Sequence, residues 1–254
     1  MTAYKIMTLN MLTDVIYSFG DDRFSRRIIG MNEMIRTHHP DLIGVQELTG
    51  KMFRYMDEIF NEYELIGENR HSRILNEYSA ILYKKDKFDV LENDTYWLSP
   101  EPKAKGSRFR FSQFPRIVTY ALLKDKETGE TFTFFNTHLD QTFNSVRKKQ
   151  TEVLRGIILD KQKGKFTAVT GDFNALPGSD PLRVLCDAGL KDTSMDSLGS
   201  TLRGKIGSAI QRNRPIDHIL ISEHIEAYRL IKIDQKYDGY WVSDHYPLMI
   251  EMEV

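Results

Sequence analysis

Apolar positions along the 254-residue chain recur with two different periods. Short runs rich in β-branched and aromatic residues, bounded by turn formers, predict strands at 4–9, 41–46, 78–84, 88–98, 116–124, 131–139, 165–171, 215–222, 228–233 and 246–253. Helical spacing predicts helices over 23–39, stopped by Pro40, over 50–60 and 143–161, and a shorter one over 180–190, closed by Gly189. A Thr-Gly pair in "KDKETGETFTFF" marks a hairpin between two strands. Hairpins mixed with strand–helix–strand units imply mixed sheets, and about ten strands are too many for one comfortable open sheet. Two sheets packed face to face, with helices outside, would bury them. With no repeat, low-complexity tract or linker, the pattern predicts one domain over 1–254.

Polar residues at the ends of these runs carry the candidate chemistry. "IMTLN" ends in Asn10 and "LIGVQE" in Glu47, while "FTFFNTHLD" carries Asn136, His138 and Asp140. "AVTGDFN" ends in Asp172 and Asn174, "RPIDHILI" opens with Asp217, and "VSDHYPLM" opens with Asp244 and His245. A turn explains Pro177 and Gly178, and a helix cap explains Ser179 or Asp180. Neither requires Asp172 and Asn174 two residues apart, where one face of a sheet would present both. Taken alone, that pair reads as an Asx-turn. Six strands ending alike, with hard oxygen donors and two imidazoles, suit a magnesium-assisted phosphate site. Magnesium takes oxygen ligands and keeps several waters, so one or two carboxylates hold it.

Composition narrows the setting. With 41% hydrophobic and 28% charged residues the chain is globular, and a net charge of -1 argues against a non-specific nucleic-acid binder. The single cysteine, Cys186, excludes an internal disulfide and a cysteine metal cluster and fits a reducing cytoplasm, the expected location. No signal-peptide pattern opens the sequence, and no apolar stretch approaches the ~20 residues of a membrane span. Basic stretches occur at 103–111, 145–150 and 203–214. The first and third could rim the site, making Arg108, Arg110 and Arg214 candidate substrate contacts, with Phe109 and Phe111 able to stack on a base. The second reads as a solvent face of a helix. Arg116, entering a strand, is a further candidate phosphate contact. His38, His39, His71 and His224 match no motif and read as surface or capping residues.

In order and over nearly the whole chain, "TLN", "GVQE", "NTHL", "GDFN…PGS", "IDHI" and "SDHYP" resemble the endonuclease/exonuclease/phosphatase superfamily. That superfamily includes pancreatic deoxyribonuclease, abasic-site endonucleases, inositol polyphosphate 5-phosphatases and mRNA deadenylases. The resemblance implies an α/β fold, a four-layer α/β/β/α sandwich of two mixed sheets flanked by helices, with the site at one rim. It places Asn10 and Glu47, with Asp244 opposite, at the metal end, holding Mg²⁺ or alternatively Mn²⁺. It has Asp172 and Asn174 orient the attacking water and a phosphate oxygen, His138 and His245 flank the phosphate, and Asp217 brace His245. Either Asp172 or the Asp217–His245 pair is the base. Leu12, where abasic-site endonucleases carry Asp, and the histidine in "NTHL" point away from abasic DNA repair. The run "DQTFNS" after "THL" lacks the basic residues of deadenylases. His218, by alternation, faces away from Asp217 and reads as structural. The expected function is metal-dependent hydrolysis of a phosphate ester, first as a phosphodiesterase with nuclease-like chemistry. A phosphatase of a small metabolite or lipid headgroup comes second. A non-catalytic binding domain comes last, since every expected chemical position is filled. The expected partner is the substrate, nucleic acid among the candidates, and the chain is a monomer by default.

Overall fold

The computed structural model describes residues 3–15, 20–194, 198–204 and 213–254. Its first sheet is built from β1 (Ala3–Asn10), β2 (Leu42–Thr49), β3 (Tyr63–Ile66), β4 (Glu77–Lys84), β11 (Tyr228–Lys232) and β12 (Leu248–Glu253), in the order β11-β12-β1-β2-β4-β3. The second holds β5 (Phe88–Trp97), β6 (Ile117–Asp125), β7 (Thr131–His138), β8 (Thr167–Asp172), β9 (Leu190–Asp192) and β10 (Asp217–Ser222), in the order β5-β6-β7-β8-β10-β9. Each sheet has one parallel pair, β1 with β2 and β7 with β8, and antiparallel neighbours elsewhere. The parallel pairs are bridged by α1 (Phe24–His38) and α3 (Asn144–Lys161), because a parallel connection must cross from one end of the sheet to the other. Two short helices, α2 (Asp57–Glu62) and α4 (Asp180–Cys186), complete the outer layers.

Period-two alternation sorts the side chains. Tyr4 and Ile6 of β1, Phe132 and Phe134 of β7, and Ala168 of β8 pack between the sheets. Met7 and Leu9 pack outward in the cluster that includes Met31 and Met34 of α1. Phe135 and Val169 do so in the cluster with Leu154 of α3 and Leu182 of α4. The result is the α/β/β/α sandwich. Following each inner face toward one rim, apolar residues give way to polar ones: Tyr4, Ile6, Thr8, Asn10 on β1; Phe132, Phe134, Asn136, His138 on β7; Ala168, Thr170, Asp172 on β8. The carboxyl ends of both parallel pairs and the amino ends of their antiparallel neighbours meet there.

Between the apolar slab and the rim lies a polar layer. Gln46 Nε2 donates to Thr8 Oγ1 at 3.1 Å and to Asn136 Oδ1 at 2.7 Å, and Asn136 Nδ2 donates to the Val45 and Ala80 carbonyls. Thr170 Oγ1 donates to Asn136 Oδ1 as well. Asn136 therefore ties the sheets together rather than entering the site. Gly44 makes this approach possible, since a Cβ there would lie 2.0 Å from Thr170 Oγ1.

Four elements differ from expectation. The helix expected over 50–60 is a 3₁₀ turn at Met52–Tyr55 followed by α2; Met52, Met56 and Ile59 all still reach the core. The strands β3 and β9 went unread because four and three residues are too few to show alternation. The helix expected over 180–190 ends at Cys186, and Gly189 turns the chain at φ 78° into β9. The Thr-Gly hairpin stands as expected between β6 and β7, with Gly129 at φ 75° and Asp125 Oδ1 accepting from the Glu127 and Thr128 N–H groups. No described helix is long and apolar enough to cross a membrane.

Candidate active site

Asp172 sits at the centre of the rim. Its Oδ2 accepts from Asn10 Nδ2 at 3.1 Å and lies 3.5 Å from His138 Nε2 and 3.9 Å from His245 Nε2. Asn10 Nδ2 also donates to Glu47 Oε1 at 3.0 Å, and His245 Nδ1 lies 2.8 Å from Asp217 Oδ2. A continuous chain, Glu47–Asn10–Asp172–His245–Asp217, thus runs from one sheet to the other. Asp217 pairs across the ladder with Asp172, so two buried carboxylates stand side by side at the ends of β10 and β8.

The turns that follow the strands lock these groups. Leu12 at φ 49°, Glu47 at φ 60° and Asn174 at φ 49° are all left-handed, an unfavourable state for non-glycine residues. Each is offset by side-chain to backbone bonds: Leu12 N donates to Asn10 Oδ1, Thr13 N to Glu47 Oε2, and Asn174 N to Asp172 Oδ1. The last bond is an Asx-turn. Asn174 therefore does not share a strand face with Asp172, as alternation suggested; the chain leaves the strand after Asp172, and Asn174 Nδ2 reaches the Leu139 carbonyl at 3.2 Å. Glu47 occupies a bulge between Val45 and Leu48 that re-aims its side chain toward the rim.

Asn10 differs in detail from its expected role. Its Oδ1 is occupied by Leu12 N, so it turns its amide N–H groups, not its oxygen, toward the carboxylates. Asp244 is half-buried, is contacted by Ser243 Oγ at 3.3 Å, and stands outside the two clusters whose ligand atoms lie within 4.8 Å of one another, Glu47–His138–Asp172 and Asp172–Asp217–His245. Asp140 is buried away from the cluster, accepting from Ser112, Gln113, Thr142 and Phe143, and so holds the 112–113 loop to the start of α3.

Electrostatics divide the titratable groups. Burial lowers His138 well below the usual imidazole range, and the nearby Arg116 and Arg70 lower it further, leaving it neutral. Burial would lower His245 too, but the Asp217 carboxylate, with Asp172 and Asp244, raises it well above that range. Burial and Asp217 raise Asp172.

Arg116 is buried and lines a cleft of about 460 Å³ beside Glu47 and His138. Arg108 is exposed, donating to the Gln113 carbonyl, and Arg110 stacks 5.3 Å from the centre of the exposed Phe111 ring. Arg214 donates to the Pro177 carbonyl, bracing the loop after Asn174; much of the 203–214 stretch, Arg212 included, lies outside the described residues. His218 is structural as expected, held by Asp192 and the Ala175 carbonyl.

Two residues that order the site escaped the sequence reading. Arg27 of α1 is fully buried and donates to the carbonyls of Met11, Leu12, Asp22 and Val242, tying the loop after Asn10 to the segment before Asp244. A signal existed: Arg27 falls on the same helical stripe as Phe24, Ile28, Met31, Met34 and Ile35. Arg70, paired with Glu77 at 2.8 Å, lines the cleft and had no such signal.

The profile of the Endonuclease/Exonuclease/phosphatase family matches residues 7–245. An uncharacterized protein of Acanthamoeba polyphaga mimivirus is 26% identical over 259 residues, 90% of this chain and 91% of that protein. The crystal structure of an endonuclease/exonuclease/phosphatase from Bacteroides vulgatus is similar at TM-score 0.84 and 24% identity over 100% of both chains. A mannosyl-6-phosphatase of Bacteroides thetaiotaomicron VPI-5482 is similar at TM-score 0.79 and 24% identity, over 99% of this chain and 100% of that one. D. rerio TDP2, complexed with a single-strand DNA product, is similar at TM-score 0.73 and 16% identity over 100% of both chains. These likenesses to solved structures establish the shared fold.

Proposed function

The chain belongs to the endonuclease/exonuclease/phosphatase family, and from that premise we propose that it is a divalent-metal-dependent hydrolase of phosphate esters. The observation that carries this reading is the Glu47–Asn10–Asp172–His245–Asp217 chain of polar contacts along one rim. The donor set fits a hard cation: the Glu47 and Asp172 carboxylates each offer an oxygen within 4.8 Å of the other, and one or two carboxylates suffice to hold Mg²⁺ or Mn²⁺ while the remaining groups act on the phosphate and the water. Glu47 would hold the ion, its carboxylate aimed by Asn10 and by Thr13 N–H. Asp244, which stands outside the Glu47–His138–Asp172 cluster, is the other carboxylate proposed for the metal end, and its charge reaches both His245 and the buried Arg27. When bound, the cation would supply neutralisation of charge on the phosphoryl and leaving oxygens.

The chain's own groups then divide the work. Protonated His245, braced by Asp217, donates to a phosphoryl oxygen, and neutral His138 donates a second hydrogen bond. Asp172, raised in proton affinity and placed between the histidines, accepts a proton from the attacking water, with Asn174 beside it. His245 is already protonated, which favours Asp172 over the Asp217–His245 pair as base. The water oxygen bonds to phosphorus as its proton passes to Asp172, and the ester oxygen leaves with the bonding electron pair and takes up a proton from solvent. A nuclease-like phosphodiesterase and a phosphatase of a small metabolite or lipid headgroup would share this machinery, and only the surrounding cleft separates them.

The test is a chromogenic ester assayed with Mg²⁺, Mn²⁺ and chelator, together with Glu47→Gln. Chelation should abolish turnover, and the variant should keep its circular dichroism spectrum while its Mg²⁺ affinity falls at least about tenfold, because Gln keeps the shape and loses the charge. Wild-type Mg²⁺ affinity in the variant would remove Glu47 from the ligand set, and turnover indifferent to chelation would overturn metal dependence.

A further inference from the structure

The cleft beside Glu47 and His138 contains two arginines that the reaction outlined above does not use. Arg70 and Arg116 are each only 3% exposed. Arg70 is partly satisfied: its Nη1 pairs with Glu77 at 2.8 Å and its Nε donates to the Leu75 carbonyl at 2.7 Å, while its Nη2 is buried without a partner. Arg116 has less support from the protein. Among the described residues its guanidinium has no hydrogen-bond or ion-pair partner, and its Nε is buried. Its remaining side-chain contact is the Phe114 ring, 6.0 Å away, the ring that Arg70 covers at 4.4 Å. Glu77 is taken up by Arg70, and Glu47, the other carboxylate lining the cleft, makes no ion pair with Arg116, so the Arg116 charge is buried without a protein counter-ion among the described residues. A buried charge in that state is costly unless an anion joins it.

We propose that Arg116, assisted by the free Nη2 of Arg70, forms an anion-holding subsite for the terminal oxygens of a phosphomonoester, and that the favoured substrate is a compact monoester rather than a phosphodiester. The inference deepens the hydrolase reading and rests on it for the position of the phosphoryl group. Arg116 and Arg70 line the same cleft as Glu47 and His138. A diester phosphate offers two non-bridging oxygens, which the groups already assigned can satisfy. A monoester offers three and an extra charge, and the unpaired guanidinium donors are placed for the third. Guanidinium is the side chain suited to such fork-shaped recognition of phosphate. Phe114 and Glu77 act through these arginines as positioning residues. The cleft, walled also by Leu75, Gln113 and Gln141, leaves room for a small organic group on the ester.

Arg116→Gln and Arg116→Lys test this, with p-nitrophenyl phosphate and bis(p-nitrophenyl) phosphate as monoester and diester sharing one leaving group, and with calorimetric titration of inorganic phosphate. Loss of a hydrogen-bonded charge should lower kcat/KM of Arg116→Gln on the monoester by about 10- to 100-fold, and on the diester by under about threefold. Phosphate affinity should fall in parallel with the monoester loss. Arg116→Lys, which keeps charge but not the fork, should fall between wild type and Gln. Should Arg116→Gln fail to show a wild-type thermal transition, Arg116→Lys carries the test through the same monoester-selective loss. Equal losses on both esters, or wild-type phosphate affinity in the variant, would overturn the subsite. Failure of the hydrolase reading looks different: wild-type protein would turn over neither ester with any metal, while the phosphate titration would still report on Arg116.

Discussion

His138 and His245 approach the same oxygen of Asp172 yet hold opposite protonation states, because one faces two guanidiniums and the other a carboxylate. Asp172 itself is costly to keep ionised there. Its folded-state proton affinity is raised, so the native protein holds a proton that the unfolded chain releases, and stability contributed at this site falls as pH rises through that window. Asp172→Asn cannot ionise. We expect it to abolish most of kcat and, in chelator, to raise stability by about 0.5–2 kcal/mol near pH 8, a Tm gain of a few degrees. That gain should vanish below about pH 4, where the carboxyl is neutral in both states. A gain that shrinks as pH rises would contradict the raised affinity. His245→Ala should lower kcat far more than it changes KM, as for a group acting on the transition state, and an effect confined to KM would make it a binding residue.

At the scale of elements, α1 and β2 each depend on one residue. Arg27 supplies hydrogen bonds to four carbonyls, two of them in the loop after Asn10, so Arg27→Met keeps the bulk but strands buried acceptors. Urea unfolding should show a loss of about 2–5 kcal/mol, with Mg²⁺ affinity falling as the Asn10 and Asp244 segments separate. A variant as stable as wild type would make those bonds incidental. Gly44 carries the approach of the two sheets. Its replacement by Ala puts a methyl 2.4 Å from Asn136 Oδ1 as well as against Thr170, where neither sheet can yield without breaking the Gln46–Asn136 bond. Destabilisation of about 1–3 kcal/mol or more is expected in the same assay.

The whole molecule presents a narrow target to any polymer. Net charge is -1, and Arg108 and Arg110 lie on an exposed loop beyond the cleft. A nuclease tracking a backbone neutralises several phosphates, and log affinity falls by about 0.7 per contact on single strands. We expect a shallow slope, roughly two to four contacts, for single-stranded DNA binding measured against salt. Replacing Arg108 and Arg110 with Gln should weaken that binding while leaving turnover of a small phosphomonoester near wild type. A slope several contacts steeper would favour a polynucleotide substrate over a compact one.

Much of this protein was already legible in its residues. Alternation along β1, β7, β8 and β10 marked which side chains face inward, and the shift from apolar to polar along those faces marked Asn10, His138, Asp172 and Asp217 as a group; the same alternation turned His218 away. Local rules sufficed because strand geometry itself enforces the two-residue period. What depended on partners far along the chain was decided only by the tertiary structure. Asn10 meets Asp172 across 162 residues, and sheet order rather than sequence makes them neighbours. The left-handed turn that swings Asn174 off the strand, the pairing of Arg70 with Glu77 and the unpaired state of Arg116 all depend on which loops converge at one rim. A charge's worth is set by what surrounds it in space, and the same arginine reads alike in a sequence whether it faces water or waits for an anion.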